Sequence, residues 1–127
     1  LNAASPDGID VYFDNVGGDH LIAAIETARP LARMALCGMI AQYNETSIPV
    51  GPHNILKVVG KQIKLQGFIV GSHADLRPAF FADMSKWIAS GQITSKETVT
   101  AGIDKAPEAF LGLFSGANTG KMLVKLD

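Results

Sequence analysis

Residues Val11-Tyr12-Phe13-Asp14-Asn15-Val16-Gly17-Gly18 constrain this chain more than any other stretch. Apolar, β-prone residues run straight into a carboxamide and two glycines, and a helical pattern follows at once. A buried parallel strand ends this way beside a ligand crevice: side chains fill the core, then the backbone turns sharply where small molecules bind. An ordinary strand-to-helix turn has the same composition, so the segment by itself leaves both readings open.

The rest of the chain repeats the alternation. Residues 9–16 read as a strand closed by Gly17-Gly18. Leu21, Ile22, Ala24, Ile25 and Ala28 then recur at helical spacing until Pro30. Residues 34–37 form a second short apolar strand ended by Gly38. Residues 42–53 are polar and carry Pro49, Gly51 and Pro52, the signature of a loop. Ile55, Leu56, Val58 and Val59 predict a short helix before Gly60, and residues 65–70 a third strand. Phe80, Met84, Trp87 and Ile88 fall at i, i+4, i+7 and i+8 of a helix that Ser90-Gly91 stops. A weak strand at 98–101, a helix at 106–115 and an alternating strand at 121–126 complete the order. Strands alternating with helices predict an α/β fold with a parallel sheet.

At 127 residues the chain has the length of one domain. Its 47% hydrophobic and 18% charged residues describe a globular protein rather than a disordered one. A net charge of −1 without a basic run argues against nucleic acid and anionic membranes as partners. No apolar stretch approaches a membrane span. One cysteine excludes an internal disulfide framework and a multi-cysteine zinc site, which fits a reducing cytoplasm. Residues 1–5 read like the tail of a helix stopped by Pro6-Asp7-Gly8, so a fragment is expected.

A second segment, Arg33-Met34-Ala35-Leu36-Cys37-Gly38-Met39-Ile40-Ala41-Gln42-Tyr43-Asn44, lies one strand-helix unit beyond the first. Together the two resemble the zinc-independent medium-chain dehydrogenases/reductases of the prostaglandin reductase and alkenal double-bond reductase family. The resemblance runs nearly end to end, over the last part of that family's chain. It implies the second half of a doubly wound (Rossmann) parallel sheet, followed by a short β-α-β segment returning to a GroES-like catalytic domain. Residues 1–97 would be the C-terminal half of the dinucleotide-binding domain, and residues 98–127 the returning segment. The N-terminal catalytic domain and the Gly-rich half would be missing, and no G-x-G-x-x-G occurs here.

The resemblance also assigns roles that the residues alone leave open. Asn15, by itself a turn asparagine, would face the cofactor ribose. Cys37 has no basic neighbour in sequence and reads as a small apolar residue; in the family, backbone groups at Cys37 and near Tyr43 meet the nicotinamide carboxamide, and Gly38 belongs to the same cofactor-binding set. Tyr43, otherwise a surface amphipath, would fix the nicotinamide ribose and is the one residue assigned to catalysis. Phe68, Ile69 and Val70, core strand residues by composition, would lie beside the nicotinamide. Asn118, in a turn by composition, would close over the cofactor. The implied cofactor is NADP(H) and the implied partner a small α,β-unsaturated ketone or aldehyde. Hydride would pass to the carbon β to the carbonyl, giving an enolate that is then protonated. The family also implies a homodimer, with the strand at 65–70 pairing across a twofold axis.

Other chemistries find little support. His20, His53 and His73 lack metal-ligand spacing, so no metal site is expected. No nucleophile elbow or phosphate loop of the Walker type is present. Asp14 and Asp19 are close in sequence, but a catalytic carboxylate pair needs a facing cleft as well. Two alternatives stand: a quinone reductase of the same superfamily, against which the 37–43 stretch argues, and a non-catalytic α/β dimerisation module.

Overall fold

The computed structural model describes residues 1–126 and divides into two compact units, Leu1–Ala74 and a second beginning at Asp75. The compactness division falls ahead of the long helix, whereas the sequence division falls after it.

The first unit is a three-stranded parallel sheet in the order β1-β2-β3, formed by Ile9–Asp14, Ala28–Leu36 and Lys64–Gly67. Helix α1, Gly18–Thr27, links β1 to β2, and the short α2, Leu56–Gly60, precedes β3. Helix α1 buries Leu21, Ala24 and Ile25 against Ala28, Ala32, Met34 and Ile63, with Tyr12, Leu36 and Leu65 packed alongside. That stripe follows from the 3.6-residue period, and the strand residues meeting it follow from the two-residue period. Val11 and Phe13, on the opposite face of β1, are exposed.

Three expectations need correction. β2 starts six residues earlier than expected and contains Pro30, because it bulges between the Ile9–Ala28 and Val11–Arg33 pairs. Proline is tolerated at such a bulge, where no ladder donor is required. Leu31 takes a left-handed φ of 67° there, and its N–H donates to the Lys61 carbonyl. β1 stops at Asp14, so Asn15 and Val16 belong to the turn. β3 stops at Gly67; Phe68 donates one last bond to the Leu36 carbonyl, and 3-10 turns begin at Val70. Residues 68–70 are therefore not a strand, although their composition favours one.

The carboxyl end of α1 carries no basic residue of its own. Lys61 supplies the charge: its Nζ donates to the carbonyls of Ile25, Glu26 and Ala28 at 3.1, 2.6 and 2.8 Å. A cation there satisfies terminal carbonyls and meets the negative end of the helix dipole. Asn54 Nδ2 donates to the Ile22 carbonyl, and Lys57 pairs with Glu26. The Lys57 ammonium, then the Asn54 amide, holds the Glu26 carboxyl below its ordinary range.

In the second unit, α3 spans Arg77–Ala89 and stops ahead of Ser90-Gly91 as expected. Its apolar residues Phe80, Phe81 and Ile88 are more than half exposed, so the anticipated buried stripe is not covered. Strands β4, Glu97–Ala101, and β5, Lys121–Lys125, pair in parallel and are joined through α4, Ala106–Gly112. Parallel neighbours require such a crossover, and the periodicity of 98–126 predicted it.

Candidate functional site

The chemistry-bearing residues of the first unit gather where β1 and β2 end. Asp14 closes β1 with its side chain inside, 1% exposed. Its Oδ1 accepts the N–H groups of Val16 and Gly17 at 2.8 and 2.9 Å, which folds the chain back on itself. Gly17 then takes φ 70° as the residue preceding α1, a left-handed conformation that favours glycine. A Cβ on it would also stand 3.1 Å from the Met39 side chain.

The two loops that follow β1 and β2 are laced by backbone hydrogen bonds. The Asp14 carbonyl accepts from Cys37 and Gly38 at 2.8 and 3.2 Å. The Asn15 and Val16 carbonyls accept from Ile40 and Ala41 at 3.1 and 3.0 Å. Residues 37–43 thus lie along the 14–16 turn, ending in one 3-10 turn over Ile40–Gln42 with Tyr43 just after it. That turn points Tyr43 back: a Cβ on Gly38 would meet its Oη and the Asn15 carbonyl, each at 3.3 Å. Gly38 is the residue that lets the phenol and the Asn15 backbone approach. The Tyr43 ring is otherwise exposed.

Beside this junction Leu36, Cys37, Gly38, Met39, Gly67, Phe68 and Ile69 line an open cavity of about 460 Å³. Among the described residues no backbone N–H reaches the carbonyls of Cys37 and Gly38, which leaves both as acceptors. Cys37 is half-buried with a free thiol. Of the residues singled out in sequence, Asn15, Cys37, Gly38 and Tyr43 meet at the junction, and Phe68 and Ile69 line the adjoining cavity. Val70 is exposed and is not among the lining residues. Asn118 belongs to the second unit, where its Nδ2 donates to the Gly120 carbonyl in a turn.

Asp14 is the residue to which sequence reasoning assigned no role beyond a candidate carboxylate pairing with Asp19. An aspartate two and three positions before amides of a glycine turn is a signal for such a bond, but only the fold shows the carboxylate enclosed. Oδ2 is buried and accepts no hydrogen bond among the described residues. Tyr12, two residues back on the same face, feels it: burial pushes the phenol above its ordinary value, and the Asp14 carboxylate adds to the rise.

This architecture, a parallel sheet with small-residue turns and free carbonyls at its carboxyl edge, is the half-domain type that holds dinucleotides in α/β enzymes. Residues 1–90 match the family described as zinc-binding dehydrogenase, and the chain belongs to it. Among curated relatives, (+)-pulegone reductase of Mentha piperita is 44% identical over 96% of this chain and 35% of its own. The NADP(+)-dependent 2-alkenal reductase of Nicotiana tabacum is 41% identical over the same shares. The crystal structure of CurA from Vibrio vulnificus in complex with NADPH superposes with a TM-score of 0.84 and 42% identity, over all of this chain and 39% of CurA. The chain thus spans little more than a third of the relatives it matches. Among the described residues no group of three or more His, Cys, Asp or Glu is placed to hold a metal, and no helix is long and apolar enough to cross a membrane.

Proposed function

We propose that the complete protein carrying this chain is an NADPH-dependent reductase of the carbon–carbon double bond of α,β-unsaturated ketones and aldehydes. The observation that carries this reading is the Asn15–Gly38–Tyr43 junction, set at the carboxyl edge of the sheet and opening into the cavity of Phe68 and Ile69. The likeness to CurA, solved with NADPH, and to a reductase named for 2-alkenals supports the cofactor and the substrate class.

The residues fit such a cofactor. Gly38 leaves a cradle that a Cβ would close, and the unpaired carbonyls of Cys37 and Gly38 suit the amide donors of a nicotinamide carboxamide. When bound, NADPH supplies the hydride. Tyr43 Oη, held over Gly38, would hydrogen-bond the ribose, and Asn15, in the turn after β1, would hold the same sugar. Met39, Phe68 and Ile69 give the open cavity an apolar wall against which a nicotinamide and a flat enone would lie. By the family resemblance Val70 and Asn118 would also contact the cofactor in the complete protein. Catalysis of this kind is mainly positioning, for which aligned reactants are worth roughly 7–11 kcal/mol of barrier at best.

In the same reading residues 1–97 are the C-terminal half of the dinucleotide-binding domain, and residues 98–127 return to the catalytic domain. The enzyme works without zinc, in the cytoplasm, as a homodimer. β3 lies at an edge of the sheet, and the exposed Ile69 and Val70 follow it within three residues. Exposed edges and adjoining apolar residues are what strand-edge association uses.

The test is the complete protein with NADPH and a 2-alkenal, followed by NADPH absorbance and by product analysis. Saturated aldehyde formed at the rate of NADPH loss is the expected result. Quinone turnover without enal turnover would replace this reading with the quinone reductase one.

A further inference from the structure

Asp14 is a carboxylate enclosed at the end of β1, 1% exposed. Burying a charge is costly unless its oxygens are satisfied, and among the described residues only Oδ1 has hydrogen-bond partners. A neutral asparagine or serine makes the same local turn, so turn chemistry alone does not call for the charge. What the carboxylate adds is strength: an ionised acceptor bonds backbone N–H groups roughly twice as strongly as a neutral one. The two amides it grips, Val16 and Gly17, lie next to Asn15. Its own carbonyl grips Cys37 and Gly38, the other side of the junction. One residue therefore ties both loops that meet at Tyr43.

We propose that Asp14 is a positioning residue for the cofactor: its buried carboxylate and its carbonyl together hold the 15–18 turn and the 37–43 loop in the arrangement the cofactor needs. The inference rests on the cofactor reading given above. With the anchor weakened, the turn samples other conformations, and apparent affinity falls by the fraction of time the competent one is lost. Once the cofactor is bound, its own contacts restore the geometry. The loss then shows in KM for NADPH rather than in kcat.

The experiment uses the complete protein and its Asp14→Asn and Asp14→Ala variants, with NADPH titration of the native protein first. Native protein that does not bind NADPH defeats the cofactor reading, and this inference with it. If the native protein binds, Asp14→Asn is expected to raise KM for NADPH at least threefold with kcat within twofold and the thermal midpoint nearly unchanged. Asp14→Ala, lacking any acceptor, should raise it tenfold or more. Should the alanine variant fail to fold, the asparagine variant decides alone. An unchanged KM for NADPH in Asp14→Asn overturns the inference while leaving the cofactor reading intact. So does a fall in kcat that tracks a lowered thermal midpoint, since that marks a residue needed only for folding.

Discussion

At the scale of single residues, the candidate site is built from small groups with backbone roles and one phenol. Tyr43 carries the clearest consequence. Its ring is 69% exposed, so it adds little to the core, while its Oη lies at the Gly38–Asn15 junction. Tyr43→Phe is expected to lower kcat/KM of the complete enzyme by an amount on the order of 1 kcal/mol, with stability unchanged within about 0.5 kcal/mol. Unaltered kcat/KM on an enone would remove the role assigned to this hydroxyl. Asn15, Gly38 and Tyr43 were singled out in sequence through the family resemblance, since by composition each reads as an ordinary turn or loop residue. Asp14 was not, because a carboxylate beside a turn reads the same whether it faces solvent or the core. Burial is a property of the packed unit, and only packing distinguished the two.

At the scale of elements, α1 depends on the segment that follows α2. Lys61 closes three carbonyls at the end of a helix that has no basic residue in its last turn. Lys61→Met keeps the apolar stem and removes the donor. It should cost on the order of 1–2 kcal/mol, read as a lower denaturant midpoint, whereas Lys57→Met, which breaks only an exposed pair, should cost less. Glu26 gives the same contact a pH dependence. Its folded carboxyl is more acidic than in the unfolded chain, so its contribution is present above the ordinary glutamate range and is lost as pH falls through the lowered value. Thermal midpoints measured from neutral pH into the acid range should fall less steeply in Glu26→Gln than in the native protein; parallel curves would contradict this. The elements themselves were mostly readable from period and punctuation. The exceptions are β2, extended by a bulge that only strand pairing creates, and residues 68–70, whose β-prone side chains turn away because β2 ends at Leu36 and offers no further ladder.

At the scale of the whole molecule, the chain supplies only part of a binding surface. Pyrophosphate recognition in this fold draws on a glycine-rich turn and the helix N-terminus behind it, and no G-x-G-x-x-G lies in these 127 residues. The chain on its own is therefore expected to show no measurable NADPH binding by calorimetry; micromolar affinity would contradict that. Light scattering of the complete protein at tens of micromolar should report a dimer, and a clean monomer would remove the edge-pairing proposal. The sequence by itself determined the α/β alternation, the parallel order of the strands and the glycine turns at their ends, because periodicity and backbone preference are local properties. The tertiary structure alone decided that Asp14 is enclosed with one oxygen unpaired, that Lys61 caps a helix more than thirty residues earlier, and that Tyr43 folds back over Gly38. Each of these depends on segments distant along the chain meeting in space, which no local pattern encodes.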